Sequence, residues 1–452
     1  MVSGGRNSNA TPAQSPVVTC HIMSDTTNIK RQFLNSLKRG TGEAYLIVRD
    51  NPNIDFSTQI IKGALNIFAY DGQSEGSRAK YIFDIISISK QKDKIRKEVL
   101  QGLATEQNQT WNLTHLFDLA KIYAKNGDNE AREAIYDRFL NHPIDHSDWV
   151  GYSEILELDG LQGLFFIAEK FGKHIEQNPD DWQDDSIVRH FQEDNPGIKV
   201  NEELKKASKK NKYIKLYLDT ISKTKDEQKK HKQEKIKFNG ILDEVINSKP
   251  FLSFKRSQNL TEQETFEIAN QLLKEKNRSN IEKLLEIFSD HKFPFDSEFI
   301  LKLAKRKKTS KDRISTFAID TLKHLKSNSI RQFALDNIQQ SKRPCDYLEI
   351  LISNYTKGDF KILCKIANKF NDEHIIEKLA GIYTDIYKAN KTKECREPLE
   401  ILYNKMNCGI HRNGIIEVLI ENNVLSEEIK NEIKFDSYLD TRVLLDKKKN
   451  GR

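Results

Sequence analysis

Residues 261–288 read TEQETFEIANQLLKEKNRSNIEKLLEIF, and this stretch decides the fold. Thr261 stands three residues before Glu264, the spacing of a capping box, in which each side chain satisfies the other's backbone N–H at a helix start. Phe266, Ala269, Leu272 and Leu273 follow at helical spacing, then Ile281, Leu284, Leu285 and Phe288 after a polar break. Two amphipathic helices on a short turn form a hairpin with one apolar face, which has to be buried against a neighbour.

The same rhythm runs outward in both directions. Downstream come the stripes Phe299, Ile300, Leu303 and Ala304; Phe317, Ala318, Thr321 and Leu322; Ile330, Phe333, Ala334 and Ile338; and further ones to Ile415, Ile416, Leu419 and Ile420. Upstream, Ile60, Ile61, Ala64, Leu65 and Phe68 follow Asp55. Tyr81, Ile82, Ile85 and Ile86 follow the turn at Tyr70–Ser74. Leu113, Leu116, Phe117, Ala120 and Tyr123 end at Asn126-Gly127, after which Asp128 caps a new helix. Asp159-Gly160 makes a further turn, and Gly163 either lets two helices approach closely or is simply a tolerated glycine. Helices recur about every 15–20 residues, so a two-helix unit takes roughly 30–45, the range of known helical repeats.

The composition agrees with stacked helices. Of 452 residues 37% are apolar and 31% charged, and Gly (20) and Pro (10) are scarce, which disfavours a turn-rich all-β fold. The chain is too long for one ordinary core. Expected regions are a disordered tail over 1–23, helical repeats over 24–175, a charged and partly irregular helical connector over 176–250, helical repeats over 251–445, and a basic tail over 446–452. Residues 1–22 contain no apolar stretch of signal-peptide type, and no run is long enough to span a bilayer. Five cysteines without a Cys-x-x-Cys pair are expected as buried reduced thiols in a cytoplasmic protein.

Net charge is +7. Residues 199–237 hold fourteen lysines against six acids, an excess of +8 that accounts for the whole of it. An acidic patch, Asp180, Asp181, Asp184, Asp185, Glu193 and Asp194, precedes them and could dock on them.

Arg313-x-x-x-Phe317-Ala318-x-x-Thr321-Leu322, followed by Ser329-Ile330-Arg331-x-x-Ala334-Leu335-x-x-Ile338, resembles a HEAT-type hairpin of the HEAT and armadillo class. Cys395-Arg396-Glu397-Pro398-Leu399-Glu400-Ile401-Leu402 with His411-Arg412-x-Gly414-Ile415-Ile416-Glu417-Val418-Leu419 is similar. The resemblance is clearest over 261–440 and looser over 28–175. It implies an all-α fold, a solenoid of helical hairpins in two halves joined by the charged segment, and a generic role as a binding scaffold for a protein partner.

No phosphate-cradling glycine loop, G-x-S-x-G elbow or H-E-x-x-H helix is present, so no catalytic residue, cofactor or metal ligand is assigned. His142-Pro143-Ile144-Asp145-His146, with Asp148, has metal-like composition, but Pro143 and a loop setting remove the fixed geometry of a helical pair.

Binding candidates fall in two groups. In the turn Tyr70–Arg78, Asp71, Glu75 and Arg78 either face a groove or serve the turn itself, with Ser74 as cap and Arg78 bonded to the preceding turn. Asp128, Arg132, Asp137 and Arg138 pose the same choice, an Asp-capped helix with ion pairs one turn apart being sufficient. The basic group comprises Lys205, Lys206, Lys209 and Lys210, with Lys305, Arg306, Lys307 and Lys308 in a second cluster. On one face these would follow a phosphate backbone in a salt-sensitive way, which makes nucleic acid the alternative partner.

DNA glycosylases of HEAT-like fold line a concave groove with aromatic residues and an Asp. Trp111, Trp149 and Trp182, with Asp118 and Arg132, supply such residue types without that family's spacing. Tryptophans on amphipathic helices are otherwise expected in the core.

Overall fold

The computed structural model describes residues 17–142, 144, 149–230, 238–249, 251–306 and 313–450. Among the described residues there are twenty-eight α-helices and no strand, as the periodicity predicts. The protein is all-α. Among the described residues no helix is long and apolar enough to cross a membrane.

Two compact units are distinguished. The first comprises Met1–Pro179, Val188–Tyr217 and Asn431–Val443; the second comprises Asp180–Ile187, Leu218–Lys430 and Leu444–Arg452. The charged stretch 176–250 is therefore divided between the units, and its acidic residues fall on both sides of the division. It is helical in large part.

The first unit is built on α1 (Val17–Arg39), α2 (Glu43–Asp50), α3 (Ser57–Leu65), α4 (Gly72–Glu75), α5 (Ala79–Ile88), α6 (Lys92–Thr105), α7 (Thr110–Lys125), α8 (Asn129–Arg138) and α9 (Tyr152–Gln177). Most of α10 (Ser186–Asp194), α11 (Val200–Ser208) and the start of α12 (Lys212–Lys230) complete it. Helix α1 begins at Val17, ahead of the start expected near Ser24. Helix α7 lies at the centre, packed on α3, α5, α6, α8 and α9. Its buried face carries Leu113, Leu116, Phe117, Leu119 and Ala120.

Glycines permit the close approaches. A Cβ at Gly172 would lie 2.0 Å from the Tyr213 carbonyl oxygen, so α9 meets the start of α12 backbone to backbone. At Gly163 a Cβ would lie 2.7 Å from the Ile155 carbonyl oxygen, because α9 folds back at Gly160 (φ 53°).

The segment 431–443 packs on the beginning of the first unit. Phe435 stacks on Tyr45 with ring centroids 4.1 Å apart. The Ser437 N–H donates to the Gly40 carbonyl at 2.8 Å, and Arg442 pairs with Asp84 at 2.7 Å.

The second unit runs through α13 (Ile241–Asn247), α14 (Phe254–Ser257), α15 (Glu262–Lys274), α16 (Arg278–Ile287), α17 (Ser297–Ala304), α18 (Ile314–Leu322), α19 (Asn328–Gln340), α20 (Cys345–Leu348), α21 (Leu351–Asn354) and α22 (Phe360–Lys369). It continues through α23 (Glu373–Ala389), α24 (Arg396–Lys405), α25 (Gly409–Glu421) and most of α26 (Glu427–Glu432). The capping box at Thr261 and Glu264 is formed. Helices α27 (Leu439–Arg442) and α28 (Leu444–Asn450) follow, the first with the N-terminal unit and the second with this one.

A recurrent device sets the spacing in this unit. The last carbonyls of a helix lack intrahelical donors, and a side chain from the next hairpin supplies one. Lys283 donates to Ser248 O, His291 contacts Ser257 O, His324 contacts Ser289 O, Asn354 donates to Leu325 O, Asn390 donates to Ile352 O, and Lys405 donates to Ala367 O. These links join residues 29 to 38 positions apart, about one two-helix step.

Cys345, Cys364, Cys395 and Cys408 are free and buried. The three tryptophans are not core residues: Trp111, Trp149 and Trp182 are 40%, 43% and 64% exposed. On α7 the residues Leu113, Leu116, Phe117, Leu119 and Ala120 fill the interior and leave the Trp111 indole outside, whereas Trp149 and Trp182 lie outside helices.

Candidate functional site

Trp111 is the second residue of α7, and Trp149 lies just before α9. Their rings meet edge to face, with centroids 6.0 Å apart. Gly151 (φ 98°) makes this possible. It turns the chain from Trp149 into α9 against the Phe117 ring, which lies 2.7 Å from where a Cβ would stand. On the other side, Trp111 ring atoms lie 3.5 Å from the Cβ position of Gly72, so the turn at Asp71 borders the indole pair.

That turn is self-contained. Asp71 accepts from the backbone N–H of Gln73 at 3.0 Å and of Ser74 at 3.3 Å, and it caps α4. Ser74 is therefore not the cap; its hydroxyl donates to Asp71. Asp71 is exposed, and its carboxyl is held below the usual range, chiefly by the Ser74 hydroxyl. Glu75 and Arg78 are buried and paired at 3.0 Å. Arg78 also donates to the Lys38 carbonyl at 2.6 Å, beside Gly40, whose φ of 76° and missing Cβ make room for the guanidinium.

Along α7 the face that starts at Trp111 continues through Asp118, Lys121 and Lys125. Lys121 bonds Asp118 and Glu157, each at 2.9 Å, and lies 3.7 Å from Glu154. Glu157 takes Lys125 as well, at 2.7 Å. Glu154 is only 5% exposed, and Ser153 donates to it at 2.9 Å. Burial, and next the Asp118 charge, push its carboxyl up to about 7. Glu154 thus exchanges a proton near neutrality.

His115 is fully buried on the same helix. Its Nε2–H donates to the Gly63 carbonyl at 3.2 Å, which leaves Nδ1 as an acceptor with no hydrogen-bond partner among the described residues. Burial lowers its pKa to about 4, so the imidazole is neutral. No sequence signal marked Glu154 or His115. Each sits on an apolar stripe, and only the neighbours supplied by packing shift their titration.

Asp128, Arg132 and Arg138 are partnered outside their own helix, in place of the expected pairs one turn apart. Asp128 caps α8 at Ala131 and pairs with Arg96 of α6. Arg132 reaches Asp159 of α9. Arg138, 5% exposed, donates to the carbonyls of Glu106, Asn141 and His142 at 2.6, 2.5 and 2.6 Å. It thereby ties the end of α6 to the chain leaving α8. Of the metal-like group, Pro143, Asp145, His146 and Asp148 lie outside the described residues.

The basic candidates divide between the units. Lys205, Lys206, Lys209 and Lys210 lie exposed on and just after α11 in the first unit. Lys206 pairs with Glu203 and Lys212 with Glu176. Lys205, Lys209, Lys210 and Lys215 make no ion pair among the described residues. Lys305 and Arg306 are exposed at the end of α17 in the second unit, and Lys307 and Lys308 lie outside the described residues.

No model of a known protein family matches the chain, and no curated protein matches it at a significant level.

Proposed function

We propose that the chain is a helical-repeat scaffold, HEAT-like in kind, whose first unit holds a protein partner against Trp111 and Trp149. The observation that carries this reading is the indole pair itself. Two large apolar rings in mutual contact stand partly in water, one at the start of α7 and the other just before α9. Exposed tryptophans of this kind are the commonest anchors of protein interfaces, and the surrounding charges set orientation more than affinity. An apolar side chain of the partner would complete the pair, and Asp71 offers an exposed carboxylate at its edge.

The test compares full-length protein with W111A/W149A, both immobilised and exposed to native extract, with bound proteins identified by mass spectrometry. The expected result is a stoichiometric partner held by the first protein and lost from the double variant at unchanged melting temperature. Equal retention by both, or by neither, refutes the reading.

The unpaired lysines of α11 and α12 favour a second reading, contact with a phosphate backbone. Its sign would be binding of duplex or single-stranded nucleic acid that falls steeply with salt. Absence of binding at low ionic strength would end it.

A further inference from the structure

We propose that Glu377, Cys408 and His411 of the second unit form a site for a divalent transition-metal ion, of the kind that takes Zn2+. Helices α23 and α25 pack side by side. Glu377 comes from the first half of α23, Cys408 is the residue that opens α25, and His411 lies one turn further on, on the same side. Their ligand atoms all fall within 4.8 Å of one another. The Nδ1 of His411 is 3.3 Å from the Cys408 sulfur and 3.5 Å from a Glu377 oxygen.

The two separations from His411 lie close to the edges of a coordination tetrahedron. Zinc bond lengths of about 2.3 Å to sulfur and about 2.0–2.1 Å to nitrogen or oxygen put sulfur and nitrogen about 3.6 Å apart, and nitrogen and oxygen about 3.3 Å apart. A hydrogen-bonded trio explains the arrangement less well. One imidazole nitrogen faces both the sulfur and the carboxylate and cannot donate in line to each. A cation between the three satisfies all of them.

The surroundings hold the donors still. Arg412, fully buried, donates to the Asn407 carbonyl at 3.3 Å, and Asn407 donates to Glu373 of α23 at 2.6 Å. Lys405 donates to the carbonyls of Ala367 and Phe370 at 2.9 and 2.8 Å. The chain entering Cys408 is thus tied to two other helices. Cys408 is 4% exposed, whereas the Glu377 and His411 side chains are about a third exposed at 30% and 31%. Three protein donors with an open side leave the fourth position to water, the arrangement of catalytic and exchangeable zinc sites and not of closed structural ones. On binding, the Cys408 S–H bond breaks, the sulfur's electron pair goes to the metal, and the proton goes to buffer.

The experiment uses untagged full-length protein stripped with a chelator and then titrated with Co2+ and Zn2+. Expected are one equivalent of Co2+, visible bands of tetrahedral cobalt with a thiolate charge-transfer band, and displacement by Zn2+ with release of a proton. C408S should abolish the charge-transfer band. E377Q and H411N, at partly exposed positions that leave the core intact, should each weaken binding at least about tenfold. Zn2+ should raise the melting temperature of the natural chain and not of these two variants. No metal retained through gel filtration, cobalt spectra without the thiolate band, or unchanged affinity in E377Q and H411N would each overturn the assignment.

Discussion

Replacing Gly42 by alanine tests how tightly the segment 431–443 is seated on the first helices. Gly42 has an ordinary right-handed conformation (φ −63°, ψ −16°), so alanine strains no dihedral there. With space available, the change would stabilise the fold by about 0.4–1 kcal/mol by restricting the unfolded chain. But the added Cβ would stand 1.7 Å from the Glu432 carbonyl oxygen, whereas ordinary contact begins at 3.4 Å. The obstacle is backbone and cannot rotate away, so the segment has to retreat by about 1.7 Å, the difference between those two distances. Hydrogen bonds of 3.1 Å from Glu43 N to Glu432 and 2.8 Å from Ser437 N to Gly40 do not survive that shift.

The two lost hydrogen bonds are worth about 1 kcal/mol each, the Tyr45–Phe435 stack about 1 and the Arg442–Asp84 pair about 0.5–1, a total of about 3–4 kcal/mol. Hydrogen exchange followed by mass spectrometry should show amides of 431–443 exchanging at least about a hundredfold faster in G42A. The melting temperature of the first unit should fall by roughly 6–15 °C. In the G42A background F435A should cost almost nothing further, because its contact is already lost. Unchanged protection of 431–443, or a melting temperature equal to or above that of the natural chain, would refute the reasoning.

Other outcomes follow from the same structure. Glu154 binds its proton more tightly folded than unfolded, since its pKa is raised from 4.5 to about 7. Its stabilising contribution is therefore complete below about pH 4.5 and lost as pH rises through 7, and E154Q should gain roughly 2–3 kcal/mol on the natural chain by pH 8; parallel melting-temperature profiles against pH would contradict this. R138M strands three carbonyls and should cost roughly 3–5 kcal/mol in urea unfolding while changing Trp149 fluorescence; a loss below about 1 kcal/mol would show that the guanidinium is dispensable. Changing Lys205, Lys209 and Lys210 together to Glu should abolish any salt-sensitive nucleic-acid binding without lowering thermal stability, as a gel-shift series over salt would show.

The helical architecture was legible because its causes are local. Apolar residues three and four apart, the Thr261–Glu264 box, the Asp128 cap and the Asn126-Gly127 stop all act within a few residues. The site residues were not legible. Trp111 and Trp149 read as core residues because nothing local says which side of a helix a neighbour will cover. Arg138 looked like half of a surface pair, yet its partners include a carbonyl 32 residues away.

Sequence alone thus determined where helices start, stop and turn an apolar face inward, since those choices depend on backbone hydrogen bonds and side-chain period over one or two turns. Tertiary structure alone decided that 431–443 returns to Gly40 and Glu43, that Glu154 is buried beside Asp118, and that Glu377 meets Cys408 and His411. Each depends on which helix faces come together, and that is settled by packing over distances of tens to hundreds of residues, where no local pattern carries the information.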